Sequence, residues 1–287
     1  MIFKINKKIL FAVVSVLICG CVFAVSVDVV NVFSAQSSKA LPIVMYHQLT
    51  KNKSKSGKYV LTVEQFENDL KYLKEKGYES VTINQLLDYS NGKDSLPDKP
   101  IMITFDDGCE TLYAYALPLL EQYGFCAVGF VIGALADEYT ENGDHNLSYS
   151  YLNWEDIKTL CNSGVIDIQS HTYNLHKNSN SRSGLKKKKS ETFEQYSEFL
   201  TADAVKMKMK MSEHTGKEPV AIAYPFGSFS KESEDILKSN GIQIAFTCEE
   251  KVNIIKKSES DWLFRLGRYN RPEGISSKNF FDKMGIG

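Results

Sequence analysis

Two adjacent carboxylates, Asp106 and Asp107, follow an apolar run that begins at Pro100, and Gly108 comes directly after them. Two neighbouring acids repel each other, and each raises the pKa of the other unless a cation lies beside them. Such a pair at the end of a buried strand is better suited to chemistry than to packing. The pattern predicts that one carboxylate holds a metal ion and that the other transfers protons.

Other polar residues also follow apolar runs, as Asp106 and Asp107 do. His47 and His171 each follow an apolar run of strand type, His176 comes five residues after His171, and the turn Tyr224–Gly227 follows a further run. In a barrel of parallel strands, the working residues lie at the carboxyl ends of the strands. We therefore expect these groups to meet on one rim.

The residue types in this group indicate a particular chemistry. His171, His176 and one aspartate would provide two nitrogen ligands and one oxygen ligand, with positions left for water and substrate. A divalent ion there would keep the second aspartate ionised as a base, polarise a carbonyl and lower the pKa of a bound water. A backbone N–H beside Pro225 could donate to the oxyanion that forms. The same ligand set suits non-haem iron oxygenases, although nothing in the sequence indicates their cosubstrate pocket.

The elements that position these residues follow from periodicity. Strand-type runs alternate with amphipathic helical stretches, which predicts parallel β/α units and favours a barrel over an open sheet. The expected strands are 42–46, 80–83, 101–105, 127–132, 165–169, 220–224, 243–247 and 263–269. The expected helices are 63–76, 111–123, 154–163, 193–214 and 231–240.

The amino-terminal 40 residues differ from the rest of the chain. Residues 1–8 form a basic, cytoplasmic segment, and residues 9–27 are uncharged and close to the ~20 residues that span a bilayer. Phe33 stands where a cleavage site wants a small residue, which favours an uncleaved signal anchor over a cleaved signal. Residues 28–40 are a polar spacer, and the domain at 41–287 is expected outside the cytoplasm, at the cell membrane or secreted if cleavage occurs.

Charge and cysteine usage narrow the functional classes. Lys and Arg number 34 against 35 Asp and Glu, and this balance gives no reason to expect a nucleic-acid partner. The 287 residues, 43% of them hydrophobic, suffice for one sizeable core, and we expect a monomer. None of the six cysteines forms a CxxC pair, so we expect free thiols rather than a cysteine zinc site.

Two motifs in this chain resemble those of a known family. Thr104-Phe105-Asp106-Asp107-Gly108 and Ser170-His171-Thr172-Tyr173-Asn174-Leu175-His176 are similar to the first and second motifs of polysaccharide deacetylases of the NodB-homology type (carbohydrate esterase family 4). The Tyr224–Gly227 turn matches part of the third motif. The resemblance implies a distorted (β/α)7-type barrel. It also implies one divalent metal ion, zinc by default with cobalt, nickel or iron as alternatives.

The resemblance also implies roles for individual residues. Asp106 would be the general base, Asp107, His171 and His176 would hold the metal ion, and the Phe226 N–H would form the oxyanion site.

The same motifs carry the residues that we expect to contact the substrate. These are Tyr173 in the second motif and Tyr224 and Pro225 in the third.

The chain departs from the family pattern in two places. The third motif usually carries an upstream arginine that steadies the base, but Ala221, Ile222 and Ala223 occupy that stretch, and the sequence leaves open what replaces it. The late Leu-x-x-His motif, source of the general acid, is absent after Phe246. The early Tyr46-His47 pair resembles the circularly permuted branch that includes poly-N-acetylglucosamine deacetylases, so His47 is expected to be the general acid.

The predicted function is removal of N-acetyl groups from an extracellular or cell-wall amino-sugar polymer: poly-N-acetylglucosamine, peptidoglycan or a chitin-like oligosaccharide. Two alternatives stay open. An O-acetyl esterase acting on xylan-type polysaccharide would use the same machinery, and a non-catalytic carbohydrate-binding relative would account for the missing arginine.

Overall fold

The computed structural model describes residues 38–179 and 182–287. Apart from Ser38 and Lys39, these residues belong to one compact unit, Ala40–Gly287. The expected basic segment, the anchor at 9–27 and most of the polar spacer lie outside the described residues. Within the part of the chain that is described, no helix is long and apolar enough to cross a membrane.

A sheet of eight parallel strands organises the domain. The strands of the chain are β1 (Ser38–Leu41), β2 (Ile43–Tyr46), β3 (Gln48–Thr50), β4 (Val60–Thr62), β5 (Glu79–Ser80), β6 (Pro100–Phe105), β7 (Ala127–Val131), β8 (Ile166–Ser170), β9 (Ala221–Ala223), β10 (Ile244–Phe246), β11 (Asn253–Lys256) and β12 (Tyr269–Asn270). The central order is β10-β9-β8-β7-β6-β2-β12, with β5 beside β6. Two small sheets pair β1 with β11 and β3 with β4.

Helices connect the strands. They are α1 (Val63–Glu75), α2 (Ile83–Ser90), α3 (Leu117–Tyr123), α4 (Gly133–Asn142), α5 (Trp154–Ser163), α6 (Phe193–Thr215), α7 (Lys231–Ser239) and α8 (Ser277–Lys283). Side-chain caps fix several helix starts: Thr62 accepts from the Gln65 N–H at α1, and Asn153 accepts from the Asp156 N–H at α5.

The alternation of side chains along β6 explains which face of the sheet Asp106 lies on. Ile101, Ile103 and Phe105 pack in one buried cluster, and Met102 packs in the other. Because successive side chains of a strand point to opposite faces, Asp106 continues the series of Met102 and Thr104.

The expected barrel is incompletely closed. Within the described residues, β10 and β12 share no ladder. A single parallel bridge between Phe246 and Leu266 joins the end of β10 to the segment that precedes β12. The parallel sheet and the pairing of β12 with β2 nevertheless agree with the expected barrel order.

Several expected boundaries were wrong. The strand expected at 263–269 is a 3-10 turn at Asp261–Phe264 followed by the two-residue strand β12, and the strand expected at 80–83 ends at Ser80. The helix expected at 111–123 begins as a π-helical turn, Leu112–Ala116. The pattern missed α2, α4 and α8, which are short and lie next to strand-like or polar segments. Cys109, Cys126, Cys161 and Cys248 are free thiols, as expected.

Candidate active site

The carboxyl ends of four strands of the sheet, β2, β6, β8 and β9, supply the site. His47 follows β2, Asp106 and Asp107 follow β6, and His171 follows β8. The 3-10 turn Pro225–Gly227 comes shortly after β9. Each group follows the carboxyl end of a parallel strand, which agrees with the expectation that they share one rim.

Asp107, His171 and His176 converge on one point. The Oδ1 atom of Asp107 lies 3.4 Å from Nε2 of His171 and 3.3 Å from Nε2 of His176. Ligand atoms at 2.0–2.1 Å around a tetrahedral ion are about 3.3 Å apart, so these three atoms have the spacing of zinc ligands. Oδ1 of Asp107 is buried and has no hydrogen-bond partner among the described residues. The three groups fit a divalent metal ion.

A backbone contact orients His171. Its Nδ1 atom lies 2.8 Å from the carbonyl oxygen of Ala223. A carbonyl oxygen only accepts, so Nδ1 carries the hydrogen and Nε2 keeps its lone pair for the Asp107 side. The strand end of β9 therefore sets the tautomer of His171, which directly follows β8.

The electrostatics favour an ionised Asp107. Burial alone would raise the pKa of its carboxyl, but the close approach of His171, with smaller contributions from His47 and His176, lowers that pKa to about 2. The carboxylate is therefore ionised at neutral pH.

Left-handed backbone conformations concentrate in these motifs. Asp107, Thr172 and Phe226 have φ values of 70°, 73° and 59°, a region that non-glycine residues seldom occupy. Gly108 continues the turn at φ 75°, and a Cβ atom there would lie 3.0 Å from a side-chain atom of Val131. Strained backbone of this kind is typical of functional sites, where the surrounding fold enforces it.

Asp106 forms a buried ion pair with Arg268. The Nη1 and Nη2 atoms of Arg268 donate to Oδ1 and Oδ2 of Asp106 at 2.6 and 2.8 Å, and the exposed fractions are 0% for Arg268 and 3% for Asp106. Burial would raise the pKa of Asp106, but the guanidinium charge and His171 hold it below its usual value. Arg268 thus supplies the cation that the third motif lacks.

Sequence reasoning missed Arg268. The residue lies in the segment that we expected to be a strand, between Gly267 and Tyr269. A signal was available: an arginine among apolar residues has to find a buried anion, because an unpaired buried charge is very costly.

His47 lies close to both aspartates. Burial is the main reason why its pKa is lower than usual, and the charges of Asp106 and Asp107 act in the opposite direction. Its Nδ1 atom is buried and has no hydrogen-bond partner among the described residues. The ring packs against Tyr59, with centroids 4.8 Å apart. A partly buried imidazole with an unused nitrogen is suited to proton transfer.

The turn after β9 brings Phe226 next to His176, one of the three converging residues Asp107, His171 and His176. Its ring centroid is 4.4 Å from that of His176, and 44% of the residue is exposed. The N–H groups of Gly227 and Ser228 donate to the carbonyl oxygens of Tyr224 and Pro225. Phe226 is in the first turn of this 3-10 segment, where N–H groups lack a partner within the helix.

The structure corrects two of the three expected substrate contacts. Tyr224 is fully buried and stacks on Phe229, and Pro225 is also buried, so neither side chain is open to a polymer. The end of a strand places a residue at the rim, but not on its outer surface. Tyr173 is half-buried, and its hydroxyl donates to Oδ2 of Asp137, which favours a supporting role.

Comparison with known proteins agrees with this geometry. The polysaccharide deacetylase family model matches residues 93–245. The poly-beta-1,6-N-acetyl-D-glucosamine N-deacetylase of Staphylococcus aureus (strain MSSA476) is 29% identical over 194 residues, which are 67% of this chain. The aligned region spans 62% of the length of that relative.

Solved structures share the fold. A de-N-acetylase from Aggregatibacter actinomycetemcomitans superposes with a TM-score of 0.73 at 22% identity, covering 86% of this chain and 100% of the other. IcaB from Ammonifex degensii superposes with a TM-score of 0.67 at 26% identity, covering 82% and 92%. With the family model matching more than half of its length, this chain belongs to the polysaccharide deacetylase family.

Proposed function

We propose that this protein is a metal-dependent N-deacetylase acting on a polymer of N-acetylglucosamine. The observation that carries the proposal is the pairing of Asp106 with Arg268 beside the trio of Asp107, His171 and His176. An ionised base next to a set of metal ligands is what hydrolysis of an acetamide requires. The name of the staphylococcal relative favours poly-β-1,6-N-acetylglucosamine as the substrate.

Asp107, His171 and His176 would hold the ion, with zinc as the default and cobalt, nickel or iron as alternatives. When bound, such an ion supplies Lewis acidity toward the acetyl carbonyl and toward water. The spacing of the ligand atoms and the unpartnered Oδ1 of Asp107 support this assignment.

The residues of the chain divide the proton transfers between them. Asp106 takes a proton from the attacking water as the new C–O bond forms, and the Phe226 N–H donates to the carbonyl oxygen as it gains negative charge. His47 gives a proton to the amide nitrogen as the C–N bond breaks. The products are acetate and a free amino sugar, so atoms and charge balance.

Aromatic side chains on two sides of the site support a sugar substrate. Tyr59 is 49% exposed beside His47, and Phe226 is exposed beside His176. Aromatic faces offer apolar surface with polar edges, which suits the faces of sugar rings. We assign these two residues to the substrate surface in place of Tyr224 and Pro225.

A non-catalytic role has lost its main support. That alternative depended on the missing arginine of the third motif, and Arg268 provides an equivalent charge next to Asp106.

The location of the domain belongs to the same proposal. Residues 9–27 would anchor the chain in the cell membrane, residues 28–40 would act as a spacer, and the domain from residue 41 would act outside the cytoplasm as a monomer. Cleavage of the segment would release a secreted enzyme.

Acetate release from defined substrates tests the function. The full chain is incubated with poly-N-acetylglucosamine, chitooligosaccharide, peptidoglycan and acetylated xylan, with Asp106→Asn as the control variant. We expect acetate release from poly-N-acetylglucosamine, and release about 10³-fold slower with the variant. Release from xylan alone would identify an O-acetyl esterase, and no release from any substrate by the metal-loaded chain would overturn the proposal.

A further inference from the structure

A second group of metal-ligating side chains lies just beyond the first motif. Glu110, His145 and Asp156 each offer one ligand atom, and these atoms lie within 4.8 Å of one another. None of the three belongs to the Asp107 trio or to the proposed proton transfers. They come from three different places: the segment after β6, the loop after α4 and the first turn of α5.

Glu110 is the buried member of this group. Only 8% of the residue is exposed, and its Oε2 atom is buried without a hydrogen-bond partner among the described residues. Its Oε1 atom is 2.8 Å from Nδ1 of His145. A buried carboxylate with an unpaired oxygen is costly, since it has lost water without gaining a full set of partners. The position calls for a cation or a further donor.

The other two residues keep atoms available for an ion. Asp156 caps α5 through Oδ2, which accepts from the Asn153 N–H at 3.4 Å, and this leaves Oδ1 for another contact. The side chain of His145 is 54% exposed, so it can reorient without disturbing the core. Burial is the main reason why the pKa of Asp156 is raised, and the nearby charge of Glu110 adds to it. The two carboxylates therefore repel each other, and a shared cation would offset that repulsion.

We propose that Glu110, His145 and Asp156 bind a second divalent cation, separate from the one held by Asp107, His171 and His176. Two carboxylates and one imidazole are a ligand set that suits zinc and neighbouring transition metals, with a further position left for water. Calcium and magnesium prefer all-oxygen sites and fit these ligands less well.

Such an ion would fasten a loop to the catalytic strand end. The loop already approaches the first motif, because the Leu152 N–H donates to the Gly108 carbonyl at 2.8 Å and the Glu110 N–H donates to the Ser150 carbonyl at 2.9 Å. His145 lies at the outer part of this loop. A cation shared by His145, Glu110 and Asp156 would hold the loop, the strand end and α5 together. It is a structural site and takes no part in the reaction.

The number of ions bound per chain tests the proposal. The full chain is stripped with a chelator, titrated with zinc by calorimetry and analysed for bound zinc after gel filtration. We expect two zinc ions per chain in the unsubstituted protein and one in His145→Ala, with the remaining ion lost in the double variant His145→Ala, His176→Ala. Glu155→Gln removes an exposed neighbouring acid and serves as the matched control, so it should still bind two.

Substitution of His145 is the first choice because this side chain is exposed and its loss should not prevent folding. Glu110→Gln is a second variant, and circular dichroism checks that both are folded. We expect zinc to raise the thermal midpoint of His176→Ala, which keeps the second site, but not that of the double variant. A single zinc ion in the unsubstituted protein that His145→Ala retains, or two zinc ions in His145→Ala, would overturn the proposal. Loss of zinc from His176→Ala alone bears only on the catalytic ion, so the two proposals fail independently.

Discussion

Two buried arginine–aspartate pairs in this molecule differ in their surroundings. Their arginines lie only three residues apart in the chain. Arg268 binds both oxygens of Asp106 at the active site, and Arg271 binds both oxygens of Asp69 on α1 at 2.8 and 2.9 Å. All four side chains are almost completely inaccessible to solvent. The difference between them lies in the other partners of each carboxylate.

Asp69 is saturated with donors. In addition to two hydrogen bonds from Arg271, it accepts one from the Tyr46 hydroxyl at 3.0 Å and one from the Gln65 side chain at 3.2 Å. A carboxylate with four donors has few lone pairs left for any further contact.

Asp106 accepts only the two hydrogen bonds from Arg268 among the described contacts of its side chain. No other donor among the described residues occupies its remaining lone pairs, and the nearby charges of His171 and His47 help to lower its pKa. We infer that the same type of ion pair serves structure at Asp69, where the carboxylate is saturated, and chemistry at Asp106, where it is not.

Substitution of the two aspartates should separate these roles most clearly. We expect Asp106→Asn to lower kcat by about 10³-fold, because an amide cannot act as the base, while bound metal stays unchanged. We expect Asp69→Asn to keep kcat near that of the unsubstituted protein but to lower the free energy of unfolding by about 3 kcal/mol, because it disrupts a buried ion pair. Acetate release, metal analysis and urea denaturation measure the three quantities.

Two results would contradict this contrast. Loss of the metal from Asp106→Asn would place Asp106 among the ligands instead of as the base. A large fall in kcat for folded Asp69→Asn would mean that the structural pair also acts in the reaction.

Substitution of His47 tests whether this residue, which lies close to Asp106, is the general acid. We expect His47→Ala to lower kcat by about 10²-fold with unchanged metal content, because the leaving nitrogen loses its proton donor. The loss should be greatest on the acid side of neutrality: burial lowers the pKa of His47, so its protonated form is populated there. Initial rates across the pH range measure this.

His214→Ala is the matched control. The ring of His214 stacks on Trp154 at 4.7 Å, and none of the metal ligands or proton-transfer residues takes part in that contact. An unchanged rate in His47→Ala would remove the general-acid assignment.

Exchange of each arginine for lysine should distinguish the two pairs by the pH dependence of kcat/KM. Lysine offers a point charge in place of the two-pronged contact. In Arg268→Lys the pKa of Asp106 should rise, since burial still favours the neutral acid while the opposing interaction is weaker. The base works only when ionised, so the acid limb of kcat/KM should move to higher pH. Rates measured between about pH 4 and pH 8 cover the ordinary pKa of an aspartate and the neutral range.

Arg271→Lys provides the control, since its partner Asp69 is not the base. Its pH profile should match that of the unsubstituted protein even if its stability falls. Identical acid limbs in all three proteins would mean that Arg268 does not set the pKa of Asp106.

Tyr46→Phe should have the smallest effect. It removes one of the four hydrogen bonds to Asp69, and we expect a loss of about 1 kcal/mol in unfolding free energy with kcat almost unchanged. Urea denaturation measures the stability. A marked fall in kcat would instead indicate that this hydroxyl positions His47, the next residue in the chain.

The reactive groups were predictable from sequence because each follows a strand whose apolar pattern is clear. That logic predicted His47, Asp106, Asp107 and His171 on one rim, and the 3.4 Å between Asp107 and His171 agrees with it for those two residues. It could not locate Arg268, because the strand beside it is only two residues long and has no pattern of its own.

The error over Tyr224 has a different cause. A position at the end of a strand does not specify which way the side chain turns, and the ring of Tyr224 points into the core against Phe229. The same uncertainty applies to loops: the pattern did not predict α4, whose following loop carries His145 toward Glu110.

The ion pair of Arg268 also has a consequence for how the protein folds. Its two residues are 162 positions apart, so Asp106 gains its counter-charge only when most of the domain has come together. Contacts between distant parts of a chain form slowly, because the entropy of a long loop must be lost first. Until the segment around residue 268 docks, the interior of the sheet would hold an unpaired carboxylate, which favours water entry over a dry core. We therefore expect closure of the core and pairing of the proposed base, Asp106, to be one late event in folding.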